Sequence, residues 1–212
     1  MLDTKRIRFP TKLFINGEFV DALDGGTVDV LNPHDGSLIA KVAEARAPDV
    51  DRAVAAATAA FPKWRDTAPA ERGRLILRLA DRIEACFEEF VELEALDTGH
   101  PVRDTRLLDV PRTLANFRYF GGIADKIDGR VTPIDAGFLS LVKRQPIGVV
   151  GQIVPWNFPL MFCSWKLGPA LAAGNCVVMK PSELVPLSTL RLAEIMAEVG
   201  FPPGVVNIVP GY

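Results

Sequence analysis

Histidine and cysteine are scarce in this chain. Its two histidines, His34 and His100, lie far apart in sequence, and its three cysteines stand as isolated Cys86, Cys163 and Cys176. No disulfide framework and no zinc-ligand spacing can be assembled from them. A surplus of positive charge is missing too. Lys and Arg number 24 against 26 Asp and Glu, for a formal net charge of -2, so nucleic-acid binding has no electrostatic support. The one long stretch without charge, Gln145 to Trp165, contains Pro146, Pro155 and Pro159 together with Gln152 and Asn157, which argues against a membrane span. Lys5, Arg6 and Arg8 run into Phe9-Pro10 without an apolar segment. That reads as no signal peptide, and a reduced, cytoplasmic location is expected. What is present is ordinary: 212 residues, 49% hydrophobic and 24% charged, enough for one sizeable domain or one domain plus a small appendage.

Taken in order, Lys12 to Val20 flanks Asn16-Gly17, a strong hairpin signal. Thr27 to Leu31 and Ser37 to Val42 form a second strand pair, and both pairs are expected along an edge or surface. Three helical stretches follow. Val50 to Phe61 starts behind Pro48. A second helix opens at Pro69 and carries the stripe Leu75, Leu79, Ile83, Phe87, Phe90 and Leu93 to a stop at Gly99; Cys86 beside it reads as a small buried hydrophobe. The third, Asp104 to Lys126, is expected to weaken or bend at Gly121-Gly122. Residues 129 to 144 look like a protruding hairpin with apolar residues on both faces. Either a subunit partner covers it or it folds back on its own domain.

From residue 145 the pattern becomes strand, turn, helix, strand, helix, strand: Ile147 to Val154, a helix from Pro159 to Gly174, Cys176 to Met179, a helix from Leu187 to Val199, and Val205 to Val209. This is half of a nucleotide-binding parallel sheet, whose ligands sit at the carboxyl ends of the strands. The first strand lacks a G-x-G-x-x-G sequel, so the ordinary dinucleotide fingerprint is absent. The last strand would expose an unpaired edge unless something covers it, and the chain reads as unfinished.

Polar residues at the strand ends are the candidates for chemistry. Asn157, in a turn stiffened by Pro155 and Pro159, could donate to a developing oxyanion or merely satisfy the turn backbone. Lys180 and Glu183 could grip ribose hydroxyls, the carboxylate repelling a 2′-phosphate, or form a solvated loop pair. Lys166 either snorkels out of the apolar helix or sits near a site. Cys163, without a histidine or any cationic neighbour but Lys166, reads as structural.

At these residues the chain resembles the aldehyde dehydrogenase superfamily. The resemblance rests on Pro146-Ile147-Gly148-Val149-Val150, Pro155-Trp156-Asn157-Phe158-Pro159, Trp165-Lys166, Pro169 to Asn175 and Lys180-Pro181-Ser182-Glu183. It extends from Phe14-Ile15-Asn16-Gly17 through Asp97-Thr98-Gly99 to Val206-Asn207-Ile208-Val209-Pro210-Gly211. It implies an α/β fold with an incomplete, Rossmann-like parallel sheet preceded by hairpins and helices. Residues 1–127 would be the first part of a cofactor-binding domain, 128–145 an oligomerisation hairpin, and 146–212 a truncated nucleotide-binding half. Asn157 would be the side-chain half of an oxyanion hole and Lys166 a helix lysine near the active site. Ile153, Val154, Pro155 and Trp156 would line NAD, or alternatively NADP, with Lys180, Ser182 and Glu183 at the adenosine ribose. Phe158, Phe162 and Trp165 would line an aldehyde tunnel. Asp97, with the carbonyls of Val30, Leu31 and Leu184, matches a monovalent-cation site. A homo-oligomer through residues 128–145 is implied.

The same resemblance shows what this sequence does not contain. Family members run to about twice this length or more, and none of the three cysteines matches the motif of the nucleophile. The expectation is therefore an N-terminal portion of an NAD(P)-dependent aldehyde dehydrogenase, inactive alone. Two rivals stand beside it: a non-catalytic nucleotide-binding or assembly remnant, and a reductase of the same superfamily acting on acyl-CoA or acyl phosphates.

Overall fold

The computed structural model describes residues 7–212. Its main sheet has five strands in the order β2-β1-β9-β8-β7, where β1 is Leu13–Ile15, β2 Glu18–Val20, β7 Val149–Ile153, β8 Cys176–Lys180 and β9 Val206–Ile208. Strands β7, β8 and β9 are parallel. They are linked by helices α6 (Pro159–Ala172) and α7 (Leu187–Glu198), as parallel neighbours require a crossover. Strands β3 (Thr27–Leu31) and β4 (Leu38–Ala43) pair in a separate two-stranded sheet. The architecture is the expected α/β one.

The cover that the last strand requires comes from the N-terminal hairpin: β1 pairs antiparallel with β9 through Phe14 and Ile208. Asn16 and Gly17 turn the hairpin with φ of 55° and 82°, the backbone such a two-residue loop needs. The Asn16 N–H then donates to the Asn207 carboxamide oxygen at 2.9 Å, fastening the turn to β9. Among the described residues the open edge of the parallel strands is β7. This places the start of the parallel half, and the turn that follows it, at the border of the sheet.

Helix α1 (Ala47–Asp66) covers one face of the parallel strands and α6 with α7 the other, so β8 is buried along almost its whole length. The apolar stripe from Pro69 is two helices, α2 (Pro69–Ala85) and α3 (Phe87–Thr98). Cys86 between them is non-helical, with φ -108° and ψ 26°. A single non-helical residue scarcely disturbs the apolar spacing, so periodicity alone does not show the break. Cys86 is also not a plain buried hydrophobe. It is half-buried, and its sulfur faces the guanidinium groups of Arg82 and Arg191.

The third stretch is irregular at its start and tightens into a 3-10 turn, Ala124–Lys126, just past its glycines. A short turn, α4 (Val102–Asp104), leads into a π-helical segment, Thr105–Asp109, and then into α5 (Val110–Ile123). Gly121 lies inside α5 and lets it cross α2 closely. A Cβ on Gly73 would come within 2.5 Å of the Gly121 carbonyl oxygen. Strands β5 (Arg130–Thr132) and β6 (Ser140–Val142) form the protruding hairpin. It does not fold back to hide its apolar residues: Phe138 and Leu139 are 77% and 72% exposed.

Candidate functional site

The parallel register pairs Ile153 with Lys180, and the Val154 N–H continues the ladder to the Lys180 carbonyl at 3.1 Å. Two neighbouring strands therefore end level with each other. The turn bearing Asn157 and the loop bearing Glu183 leave from one edge of the sheet, beside its open border, where ligands of such sheets bind.

In the first turn, Val154 is buried, Pro155 half-buried, and Ile153 and Trp156 exposed. Asn157 is exposed as well. Its carboxamide makes no hydrogen bond among the described residues, and the first bond of α6, from the Phe162 N–H to the Phe158 carbonyl at 2.8 Å, is made by backbone alone. The side chain is thus free to donate to something outside the turn. Pro159 starts α6 without needing an N–H partner. On that helix Phe162 meets Trp165 edge to face at 5.1 Å, and Trp165 remains partly exposed beside exposed Lys166. The Lys166 carbonyl accepts the Gln152 amide at 2.9 Å, joining the middle of α6 to β7. Phe158 lies apart from the Phe162–Trp165 pair, its ring on that of His100.

In the second loop the Lys180 ammonium lies 3.4 Å from Glu183 Oε2. It also donates to the Gly211 carbonyl at 2.6 Å and the Pro181 carbonyl at 3.1 Å. Lysine therefore ties the end of β8 to the chain beyond β9 and braces the carboxylate beside it. Both side chains stay about a quarter exposed, accessible to a ligand at the rim. Ser182 is buried, its hydroxyl accepting the Leu184 N–H at 3.3 Å, so it shapes the loop from beneath. The role of Gly211 was not legible in the sequence, since a backbone carbonyl leaves no side-chain signal.

The remaining candidates separate. Asp97 is buried, with its Oδ2 accepting the Leu187 N–H at 2.8 Å and its Oδ1 without a partner among the described residues. Gly99 packs closely on Pro33, which draws the segment after Asp97 towards Leu31, while Leu184 precedes the loop's contact at Leu187. An orphaned carboxylate oxygen near those segments fits a cation ligand. Val30 is buried, whereas the side chains of Leu31 and Leu184 are exposed.

Cys163 is not near any of this chemistry. It is fully buried, 3.3 Å from Thr189 Oγ1 and 3.6 Å from Met179 Sδ, and burial pushes its thiol up to about 12. Burial likewise pushes Cys176 up to about 11. Because the thiolate is the reactive form, brief alkylation of the native chain at mildly alkaline pH will add a single group, at Cys86. Intact mass and peptide mapping check this; modification of Cys163 at a comparable rate would contradict the burial described.

With this geometry in hand, comparison with known proteins is direct. A sequence model of the aldehyde dehydrogenase family matches residues 19–212. The mitochondrial aldehyde dehydrogenase of Leishmania tarentolae is 52% identical over 201 residues, covering 95% of this chain and 40% of that protein. The structure of PnpE in complex with nicotinamide adenine dinucleotide, a protein known from Pseudomonas sp. WBC-3, is 69% identical with a TM-score of 0.95. It covers 96% of this chain and 42% of PnpE. The NAD⁺ complex of an aldehyde dehydrogenase from Bacillus cereus is 46% identical with a TM-score of 0.96, covering 100% of this chain and 44% of the other. The chain spans about 40% of the length of the curated relatives it matches. Among the described residues no helix is long and apolar enough to cross a membrane.

Proposed function

The chain belongs to the aldehyde dehydrogenase family, and from that premise we propose that it supplies the nucleotide-gripping rim and the amide half of an oxyanion hole. The reaction served is oxidation of an aldehyde to a carboxylic acid with NAD. The observation that carries this reading is the level ending of β7 and β8, which brings the Asn157 turn and the Lys180–Glu183 loop to one rim. Glu183 and Lys180 hold the adenosine ribose, with Ser182 shaping their loop, while Ile153, Val154, Pro155 and Trp156 form the adjoining wall. NAD supplies the hydride acceptor when bound.

In the reaction a thiolate from elsewhere in a complete enzyme adds to the aldehyde carbonyl, and Asn157 donates a hydrogen bond to the oxygen that becomes negative. Losing one such donor typically slows a reaction roughly 100- to 1,000-fold. Phe162 and Trp165 offer apolar surface to the aldehyde, with Phe158 behind the turn and Lys166 exposed on the same helix. Asp97, with the carbonyls of Val30, Leu31 and Leu184, would hold a monovalent cation as structural support. Residues 1–127 and 146–212 belong to the cofactor-binding unit, and 128–145 form a hairpin that bridges to another subunit.

Cofactor choice tests the rim. A carboxylate beside the ribose accepts hydrogen bonds from a free 2′-hydroxyl and repels a 2′-phosphate. Calorimetry on the purified chain will give tighter binding of NAD than of NADP. Glu183→Gln will narrow the preference by about tenfold or more, the value of a hydrogen bond to a charged group. Tighter binding of NADP by the unmodified chain would remove the ribose assignment.

The hairpin has its own test. Its exposed Phe138, Leu139 and Leu141 form an apolar surface of the kind that marks a protein contact. Sedimentation of the chain will show association that rises with concentration. Replacing those three residues by Asp will leave a species of 23.1 kDa at every concentration. Equal association in both proteins would place the contact elsewhere.

A further inference from the structure

Helix α3 carries two carboxyl groups one turn apart, Glu94 and Asp97, and both are essentially inaccessible to solvent. Neither has a Lys or Arg partner among the described residues. Burying an unpaired carboxylate is costly, and burial pushes Glu94 up to about 7. What these groups meet instead is chiefly backbone, with Ser188 at the start of α7 beside both. Glu94 Oε1 accepts the Leu160 N–H at 3.2 Å, and Asp97 Oδ2 accepts the Leu187 N–H at 2.8 Å.

The two acceptances are equivalent in kind. Leu160 follows Pro159 at the start of α6, and Leu187 follows Pro186 at the start of α7. Proline has no N–H, so each carboxyl takes the first free donor of its helix, at the end where the backbone dipoles favour an acceptor. One helix begins immediately after the Asn157 turn and the other after the Lys180–Glu183 loop. We propose that Glu94 and Asp97 are positioning residues through which α3 sets the Asn157 turn and the ribose-gripping loop at a fixed spacing. A third contact acts in the same place. His100, just beyond α3, has its Nδ1 2.8 Å from buried Asp109, and its ring stands edge-on to Phe158 with centroids 5.2 Å apart.

The functional meaning of this anchor rests on the proposed cofactor rim, whereas the anchor itself can be read without it. Native-state amide exchange, followed by NMR on the 212-residue chain, gives the local readout. NAD affinity by calorimetry gives the functional one. Glu94→Leu will speed exchange of the Leu160 amide by about tenfold or more, the value of a lost bond to a carboxyl acceptor. Leu187 and the core amide of Val177 will keep their rates. Asp97→Leu will do the converse. Glu94→Gln and Asp97→Asn, which keep a carbonyl acceptor, will restore protection and NAD affinity towards the original values. Should the leucine variants not fold, Glu94→Asp withdraws the acceptor by one methylene and carries the same expectation for Leu160. Uniform acceleration across the chain, or an unchanged Leu160 amide, would overturn the proposal. Local loosening without any NAD binding by the unmodified chain would uphold the anchor and reject the cofactor reading.

Discussion

Mixed with NAD and an aldehyde, the purified 212-residue chain will form no NADH above the rate without protein. Aldehyde oxidation by this family's route needs a thiolate at the carbonyl before hydride can leave, because the covalent adduct is the hydride donor. None of the three sulfurs can serve. Cys163 and Cys176 are buried in the core with thiols pushed up to about 12 and 11. Cys86 lies between α2 and α3, beside Arg82 and Arg191, and away from the Asn157 turn. An oxyanion donor without a nucleophile has no oxyanion to stabilise, so the loss is of the whole turnover and not of a fraction. NADH absorbance is the measurement. Formation that scales with protein and vanishes in both Asn157→Ala and Cys86→Ser would show that Cys86 reaches the rim, and the account of the site would fail.

Asn207→Leu will cost the chain about 3 kcal/mol of stability or more. The Asn207 side chain is fully buried on β9. Its oxygen accepts the Asn16 N–H at 2.9 Å, and its nitrogen donates to the carbonyls of Val177 at 3.2 Å and Gly204 at 2.9 Å. One carboxamide therefore fastens the N-terminal hairpin, β8 and the turn before β9 together. Leucine fills a similar volume but strands two buried carbonyls, those of Val177 and Gly204, and the part-buried Asn16 N–H, at about 1–3 kcal/mol for each buried group, against a typical total stability of roughly 5–15 kcal/mol. Urea unfolding followed by circular dichroism will show the midpoint falling with little change of slope. A loss below about 1 kcal/mol would mean that water or backbone movement replaces those bonds. Asn207→Asp keeps only the acceptor and buries a charge, so it should fare no better.

These cases mark where sequence reading reached its limit. Asn16-Gly17 announced a hairpin, and the structure has one. Nothing near residue 16 announced that the turn would be pinned by Asn207. A signal did exist in Leu13-Phe14-Ile15, three successive apolar residues that are all buried. Such a run fits a strand covered on both sides better than one on a surface edge. Similarly, the α2–α3 stripe was visible as helix, but the break at Cys86 and its arginine neighbours were not. Asn157, Lys180 and Glu183 stood out as polar residues at strand ends. Glu94 and Asp97 did not, because an acid in a helix usually faces solvent and no spacing rule separates these two from Glu88 or Glu92.

By itself the sequence determined the local pieces and the family: the hairpin turn, the proline starts and glycine stops of the helices, and the parallel β-α-β-α-β run ending in polar turns. Such features depend on backbone dihedrals and hydrogen bonds within a few residues, so composition and spacing reveal them. Only the tertiary structure decided which strand lies open, that β7 and β8 end level with one another, and that two acids on α3 reach the starts of α6 and α7. Those facts depend on contacts between segments distant in the chain. Each is settled by the one packing arrangement that buries the shared core and still satisfies the polar groups inside it.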